Sequence, residues 1–476
     1  MNEVQRHFKS VNQKLNKTGC GMCLAKWTQV TIHLQLGRTH SCHHPDTHPI
    51  PLKELKRNPS ALHNTGFKKA RRKQMLEGER PSECGYCWNV EDNSNEYSDR
   101  TFKSAEPWSA PYHDEIVNLN WREDYFPKYV EVAFSNACNF KCSYCGPSFS
   151  SKWVQEIEKH GGYPTTDTFN DMQWMKDTGR MPFNHKDYNP YVEAFWKWWP
   201  DLYNNLHTFR ITGGEPLLSK DTWKVLDFII DTDKPNSKLN LSINSNLGVP
   251  DSLIDKIIEK INRICDKKRV REFVIFTSVD GWGAQAEYGR TGLVFNQFWD
   301  NLNKILTKCP TVTIGIMSTY NALSVPSYHK LIKGVYEIKK EYGSPDRAWT
   351  TPVSLDASFL RHPFHQTVQV LPYDFSDTVK SHSEIAESYT EVFHSNLNSS
   401  GVSYGFTEIE VTKLKRIYDW MISPQDNDKL MRDRYNFYKF FDAHDKRRGT
   451  DFCKTFPELE EFFHFCKSID LKSLKL

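Results

Sequence analysis

The stretch KYVEVAFSNACNFKCSYC, residues 128–145, joins a strand-like pattern to three closely spaced cysteines. In YVEVAFS (129–135), polar and apolar residues alternate, which is typical of a β-strand. The cysteines that follow, Cys138, Cys142 and Cys145, have C-x3-C-x2-C spacing. A closed structural metal site usually has four ligands, so this loop is one ligand short. Either a distant side chain completes the site, or one coordination position is open to another molecule.

Strand and helix patterns alternate after this first strand. Further strands are predicted over 207–213, 238–246, 272–281, 311–319 and 349–355. Helices are predicted over 150–159, 191–206, 222–232, 252–264, 295–308 and 328–342. This alternation predicts an α/β fold with a parallel sheet, either an incomplete barrel or a doubly wound sheet. In both, ligands bind at the carboxyl ends of the strands, where the cysteine loop follows the first strand.

The bulk properties indicate a globular protein and do not point to a membrane or nucleic-acid partner, although local patches are compatible with one. The chain has 476 residues, enough for two or three domains, and a net charge of only +3. The polar N-terminus lacks a secretory signal, and no run of about 18 apolar residues predicts a membrane span. Eight of the 12 cysteines are clustered in the first third of the chain, which favours metal binding over disulfides. We therefore expect a cytoplasmic protein.

A second motif, ITGGEPLL (211–218), stands at the end of the second predicted strand. Its residues Gly213, Gly214, Glu215 and Pro216 match the GGEP motif of the radical S-adenosylmethionine (radical SAM) enzymes, and the C-x3-C-x2-C loop matches their cluster-binding motif. The chain therefore resembles this superfamily over 127–370. The resemblance implies a partial (β/α)6 TIM-like barrel.

The resemblance also implies a mechanism. In the family, three cysteines hold a [4Fe–4S] cluster, and the amino and carboxylate groups of S-adenosylmethionine bind the fourth iron. The reduced cluster cleaves the cofactor to methionine and a 5′-deoxyadenosyl radical, which abstracts hydrogen from the substrate. By this resemblance Cys138, Cys142 and Cys145 are the catalytic cluster ligands. An electron donor such as flavodoxin or ferredoxin is the implied partner.

Other residues are implied as contacts of S-adenosylmethionine. The glycines of GGEP would let the backbone approach its methionine end, and Glu215 would accept hydrogen bonds from its ammonium group. The adenine is assigned to Tyr144, the ribose hydroxyls to Ser242 and Asn244, and the cofactor carboxylate to Arg290. Candidates at the fourth strand end are Ser278 and Asp280. Strand-end capping for Ser242, Asn244 and Asp280, and a surface position for Arg290, are open alternatives.

The N-terminal cysteines resemble the ligands of SPASM/twitch domains, which bind auxiliary clusters in radical SAM enzymes. The resemblance covers 1–105 and implies a second [4Fe–4S] cluster held by Cys23, Cys42, Cys84 and Cys87, with Cys20 as a possible replacement for Cys23. A four-cysteine zinc ribbon is the alternative. We expect His40, His43 and His44, which flank Cys42, to be solvated loop residues. A linker over 106–126 and a mainly helical extension over 371–476 complete the predicted organisation.

Three functions are compatible with these patterns. The first is an enzyme that modifies a peptide or protein side chain by radical chemistry. The second is a radical SAM dehydrogenase or epimerase that acts on a sugar or another small molecule. The third is a zinc-stabilised nucleic-acid-binding protein, because the basic run KKARRKQ (68–74) resembles a phosphate-contacting segment. The βα series and the GGEP motif disfavour the third function.

Overall fold

One nine-stranded sheet organises the chain in a computed structural model that describes residues 3–167, 170–393 and 404–471. A separate two-stranded sheet joins β5 to β9. The strands are β1 (Gln29–His33), β2 (Arg38–His40), β3 (His48–Pro49), β4 (Tyr129–Ala133), β5 (Lys141–Cys142), β6 (Thr208–Thr212), β7 (Asn240–Asn244), β8 (Glu272–Thr277), β9 (Arg290–Thr291), β10 (Thr313–Tyr320) and β11 (Val353–Phe359).

Helices precede the first strand, connect the strands and cover the end of the chain. Those up to β4 are α1 (Glu3–Thr18), α2 (Ala25–Thr28), α3 (Leu52–Arg57), α4 (Gly66–Leu76), α5 (Gly85–Asn93), α6 (Asp99–Ala105) and α7 (His113–Val117). Those up to β11 are α8 (Ser151–His160), α9 (Met172–Asp177), α10 (Pro190–Tyr203), α11 (Lys220–Asp231), α12 (Asp251–Asp266), α13 (Gly283–Gly289), α14 (Phe295–Lys308) and α15 (Tyr328–Tyr342). The last five are α16 (Ser376–Phe393), α17 (Glu408–Ile422), α18 (Asn427–Arg448), α19 (Phe452–Thr455) and α20 (Glu460–Ser468).

The main sheet has the order β11-β10-β8-β7-β6-β4-β1-β2-β3. From β4 to β11 each strand of this sheet pairs in parallel with the one before it along the chain. A doubly wound sheet would reverse its order at a switch point, so that alternative is wrong. The prediction of an α/β fold with a largely parallel sheet is confirmed.

The N-terminal region shares this sheet. Strand β1 pairs in parallel with β4, and β2 and β3 continue the sheet in antiparallel fashion. A second apolar cluster lies beside β1 and includes Leu15, Trp27 and Met75. The segment predicted as a linker contributes Ile116 and Tyr125 to this cluster. The predicted domain boundaries stay predictions, but the cysteine-rich region and the βα units have a hydrogen-bonded sheet in common.

Apolar helix faces cover one side of the parallel sheet. Helix α12 shows the pattern, because its isoleucines recur three and four residues apart and are all buried: Ile254, Ile257, Ile258, Ile261 and Ile264. Full burial of such a side chain contributes about 1.5–3 kcal/mol to stability.

None of the helices in the described ranges combines the length and apolarity that crossing a bilayer requires.

The C-terminal helices close the open edge of the sheet at β11. On α17, the buried Glu410 accepts a hydrogen bond from the Leu355 amide at 2.8 Å. The same carboxylate lies 3.0 Å from the ammonium of Lys339 on α15. The edge strand is thereby bound to a helix instead of being exposed to another chain.

Candidate active site

The three predicted cluster cysteines lie in one loop at the carboxyl end of β4. The Phe140 amide donates to the Cys138 sulfur at 3.4 Å, and the Cys145 amide donates to the Cys142 carbonyl at 3.0 Å. Burial raises the pKa of the Cys138 thiol, and the neighbouring Cys142 and Cys145 thiols raise it further. The loop therefore brings three half-buried sulfurs close enough to interact, and metal binding would displace their protons.

A zinc ion and a [4Fe–4S] cluster require different spacings of the cysteine sulfurs. Among the described residues, only Cys453, Glu460 and His464 place three candidate ligand atoms within 4.8 Å of one another. In neither predicted cysteine set, therefore, are any three sulfurs that close together. A zinc ion with Zn–S bonds of about 2.3 Å would hold its sulfurs about 3.8 Å apart. In a [4Fe–4S] cluster each cysteine binds a different iron, so the cysteine sulfurs of a cluster site are farther apart than those of a zinc site.

The glycines of the GGEP segment dock it against the chain that leads into the cysteine loop. The Gly214 amide donates to the Ser135 carbonyl at 3.1 Å, and the Glu215 amide to the Ala137 carbonyl at 2.7 Å. A Cβ on Gly214 would stand 2.3 Å from the Ala137 oxygen, and Gly213 has a φ of +122°. Both positions therefore require glycine, because a side chain would separate the two loops. Close approach of these glycines to a cofactor stays a prediction.

Glu215 is buried beneath this contact, next to the buried Pro216. Its carboxylate accepts hydrogen bonds from the Asn246 amide at 2.6 Å, the Ser245 hydroxyl at 2.9 Å and the Leu217 amide at 3.0 Å. Burial raises the pKa of Glu215 to about 7 despite these donors. A carboxylate has roughly four acceptor positions, so one is left for an ammonium group.

Four predicted residues meet at a second point of the site. The Tyr144 hydroxyl donates to Asp280 Oδ2 at 2.7 Å, and Arg290 Nε donates to the same oxygen at 2.7 Å. Arg290 Nη1 lies 3.6 Å from the Cys142 sulfur. The Thr319 amide binds the other Asp280 oxygen at 2.7 Å. Arg290 is only 6% exposed, so the alternative of a surface arginine is wrong.

The remaining predicted contacts lie on the strands themselves. Ser242 is buried in β7, and Ser278 is half-buried just after β8. Asn244 accepts a hydrogen bond from Arg210 Nε at 2.8 Å, one strand away from the GGEP segment. The structure thus engages Asn244 with an arginine, whereas the residue after it, Ser245, reaches Glu215. The sequence analysis missed Ser245, although it ends the same strand pattern.

The cysteine loop is braced by the C-terminal region, which no motif indicated. Arg448, the last residue of α18, lies 3.0 Å from Glu156 on α8, and both side chains are almost fully buried. The same guanidinium donates to the Lys141 carbonyl at 2.6 Å and to Thr291 Oγ1 at 2.9 Å. Lys141 and Thr291 are paired across β5 and β9. Arg448 therefore fixes the short sheet that contains Cys142.

The four predicted auxiliary cysteines converge in the N-terminal region. Cys23, Cys42, Cys84 and Cys87 line one small pocket. Burial, together with the charges of the other three thiols, raises the pKa of Cys23 to about 12. Cys20 is exposed and donates to the Gly78 carbonyl at 3.4 Å, outside the lining of that pocket. The geometry thus groups Cys23, not Cys20, with the other three.

The histidines near Cys42 have separate environments. His43 is exposed, as predicted for a solvated loop residue. His44 is half-buried, lies 2.6 Å from Asp99 and stacks on Tyr86. His40 is buried, and its Nδ1 contacts the Cys42 carbonyl, so the prediction of a solvated loop residue is wrong there. Its strand pairs with β1, which carries it into the sheet.

Most basic side chains of the run 68–74 contact other residues of the protein. Lys68 and Arg72 are buried and contact His63 at 3.1 and 2.8 Å. Lys69 lies 2.6 Å from Asp124, and Lys73 lies 3.6 Å from Glu77. These contacts disfavour the run as a phosphate-binding surface.

No protein-family model matches the chain, and no curated protein matches it.

Proposed function

We propose that this protein is a radical SAM enzyme with an auxiliary iron–sulfur cluster. The observation that supports this most is the hydrogen-bonded contact between the Gly213-Gly214-Glu215 segment and the chain entering the cysteine loop. It joins the two motifs at the carboxyl ends of adjacent parallel strands, β4 and β6. The sequential order of the strands from β4 to β11 supports the proposal that they form a partial (β/α)6 barrel.

Cys138, Cys142 and Cys145 would bind three irons of a [4Fe–4S] cluster, and S-adenosylmethionine would bind the fourth. When bound, the cluster and this cofactor supply one-electron reductive cleavage of the sulfonium and hydrogen-atom abstraction from the substrate. Glu215 offers a buried acceptor for the cofactor ammonium group. Tyr144 is held by Asp280 and Arg290, so its ring has a fixed position for the adenine. These residues bind and orient the cofactor.

Cys23, Cys42, Cys84 and Cys87 would hold the auxiliary [4Fe–4S] cluster. The buried Lys26 ammonium is paired with Glu83 and also lies beside Cys84, where it favours the thiolate that binds iron. Metal-binding cysteines require a reducing compartment, which favours the cytoplasm. The proposed electron donor is a flavodoxin or ferredoxin. The proposed substrate is a peptide or protein side chain, with a sugar or other small molecule as the alternative.

Anaerobic purification tests this function. The protein reduced with dithionite should convert S-adenosylmethionine to methionine and 5′-deoxyadenosine, measured by liquid chromatography and mass spectrometry. Changing Cys138, Cys142 and Cys145 together to Ala should remove about four irons and abolish that product. Changing Cys84 and Cys87 to Ser should remove a similar number of irons by loss of the auxiliary cluster. Stoichiometric zinc in place of iron after anaerobic reconstitution would contradict the proposal.

A further inference from the structure

One face of the parallel sheet is polar and partly reached by solvent. Along β6, β7 and β8, the residues Ile211, Ile243 and Ile275 point to the buried side. Their neighbours Arg210, Asn244 and Phe276 are only half-buried and share the opposite face by strand alternation. A packed barrel interior would exclude solvent from this face. This face is therefore partly accessible to solvent.

Two opposite charges lie side by side on this face of the sheet. Glu131 on β4 and Arg210 on β6 are register partners, so their side chains leave the same face of adjacent strands. Their side chains are 17% and 16% exposed, and Glu131 Oε2 lies 4.0 Å from Arg210 Nε. That separation is too long for a hydrogen bond. The two charges are therefore adjacent but not bonded to each other.

The buried ion pairs near the cysteine loop behave differently. Arg290 and Asp280 are 2.7 Å apart, and Arg448 and Glu156 are 3.0 Å apart. Buried charges are normally satisfied by such direct hydrogen bonds, because desolvation is costly. The Glu131–Arg210 pair keeps partial solvent access instead, and each group retains hydrogen-bonding capacity for a ligand.

Arg210 is held in place by neutral neighbours. Its Nε donates to Asn244 Oδ1 at 2.8 Å, its Nη2 lies 2.8 Å from the Met317 sulfur, and its guanidinium lies 4.1 Å from the centre of the Phe276 ring. These contacts fix the plane of the guanidinium without neutralising its charge. A guanidinium fixed in this way favours a planar carboxylate.

We propose that Arg210 and Glu131 bind the carboxylate and the ammonium of a free amino-acid substrate. This inference rests on the proposed radical SAM function, and among the proposed substrates it favours the alternative, a small molecule, over a peptide or protein side chain. Internal residues of a peptide present neither group on the backbone, and a sugar carries no charge to match the pair. Glu131 also disfavours a phosphate, because the second negative charge stands beside Arg210.

The position of the pair fits a substrate rather than a structural ion. Asn244, which orients Arg210, directly precedes Ser245, whose hydroxyl donates to Glu215 at 2.9 Å. Arg210 itself is three residues before Gly213 on the same strand and loop. A bound amino acid would therefore lie below the residues proposed to hold S-adenosylmethionine.

Calorimetric titration of the anaerobic, cluster-loaded full chain with S-adenosylmethionine present tests this site. The probes are the twenty proteinogenic L-amino acids, followed by the amide and N-acetyl derivatives of each one that binds. We expect at least one to bind, and its derivatives to bind about 10- to 100-fold more weakly, because a charged hydrogen bond contributes about 1.5–3 kcal/mol.

Variants that remove one charge show which side chain binds the carboxylate and which binds the ammonium of the amino acid. Arg210→Gln should abolish the preference for the acid over its amide, and Glu131→Gln should abolish the preference for the free amine over its N-acetyl form. Arg210→Lys should retain the preference for the acid, which keeps the test decisive if Arg210→Gln does not fold. Arg263→Gln, which removes an exposed arginine of α12, is the matched control and should change neither preference.

Two results would overturn the site assignment. One is that none of the twenty amino acids binds, and the other is that the preference for the acid survives in Arg210→Gln. Failure of the underlying function is observed separately, because wild-type protein would then form no 5′-deoxyadenosine from S-adenosylmethionine whether or not an amino acid binds.

Discussion

Arg448 offers the sharpest test of how the cysteine loop is held. Its side chain is 1% exposed and that of Glu156 is 4% exposed, with 3.0 Å between the charged atoms. We consider Arg448→Met, which keeps much of the side-chain length but removes the ion pair and the hydrogen bonds to Lys141 and Thr291. The substitution leaves the Glu156 carboxylate buried with Lys141 as its remaining cation.

The pKa of Glu156 gives the size of the expected stability loss. Burial alone would raise this pKa, but Arg448, together with Lys141 and Tyr163, lowers it from 4.5 to about 2. At about 1.4 kcal/mol per pH unit, this depression corresponds to about 3 kcal/mol of stabilisation at pH 7. Breaking one partner of a buried pair costs about 3–5 kcal/mol, which agrees with that value. Because the folded pKa is depressed, the stabilisation is complete above about pH 4.5 and is lost as the pH falls towards 2.

Urea unfolding under anaerobic conditions at pH 7 measures the stability change, and the rate of iron loss to a chelator reports the state of the cysteine loop. Arg448→Met should lower the unfolding free energy by about 3 kcal/mol and accelerate iron loss. Arg447→Met is the control, because Arg447 binds exposed carbonyls of Gly161 and Gly162 and should cost less than about 1 kcal/mol. Equal effects of the two substitutions, or unchanged iron loss in Arg448→Met, would refute the reasoning.

Three further predictions address the other parts of the site. Burial raises the pKa of Glu215 to about 7, so ionisation destabilises the fold as the pH rises. The unfolding free energy of Glu215→Gln minus that of the wild type should therefore increase by about 1.4 kcal/mol between pH 6 and pH 8. If this difference does not change with pH, the pKa of about 7 is wrong. Gly214→Ala should lower iron content, because its Cβ would stand 2.3 Å from the Ala137 oxygen, whereas Gly289→Ala meets only Leu323 at 3.8 Å and should retain iron. Cys23→Ser should lose the auxiliary cluster and Cys20→Ser should keep it, and iron quantification that shows the reverse would reassign the ligand.

Local patterns predicted the βα units well. The helices predicted over 295–308 and 328–342 have those bounds in the structure, because their apolar residues recur at helical spacing. Strand ends differ by up to four residues, as with 349–355 against the observed Val353–Phe359. Strand β1 was missed because it carries polar residues such as Gln29 and Thr31, and its partner β4 lies 100 residues away. Pairing at that distance leaves no local signal.

The candidate site was predictable where one short motif contains the relevant residues. The cysteine triad and GGEP were found in this way, whereas the contact of Arg448 with Glu156 spans 292 residues. Tyr144, Asp280 and Arg290 were each proposed for the cofactor, but their hydrogen bonds to one another were not. Such bonds depend on how three separate loops meet, which only the folded chain determines.

The geometry of the cysteine loop is therefore a property of the whole fold. The chain that enters the loop accepts hydrogen bonds from the Gly214 and Glu215 amides. Arg290, which follows α13, lies against the Cys142 sulfur. Its short strand is braced by Arg448, and the Cys142 carbonyl also accepts a hydrogen bond from Trp153 Nε1 at 2.9 Å. Three sulfurs in a flexible loop would bind whichever metal imposed its own spacing. Support from distant elements restricts the conformation of this loop instead, so the helical C-terminal region contributes to the geometry of the three sulfurs as well as to stability.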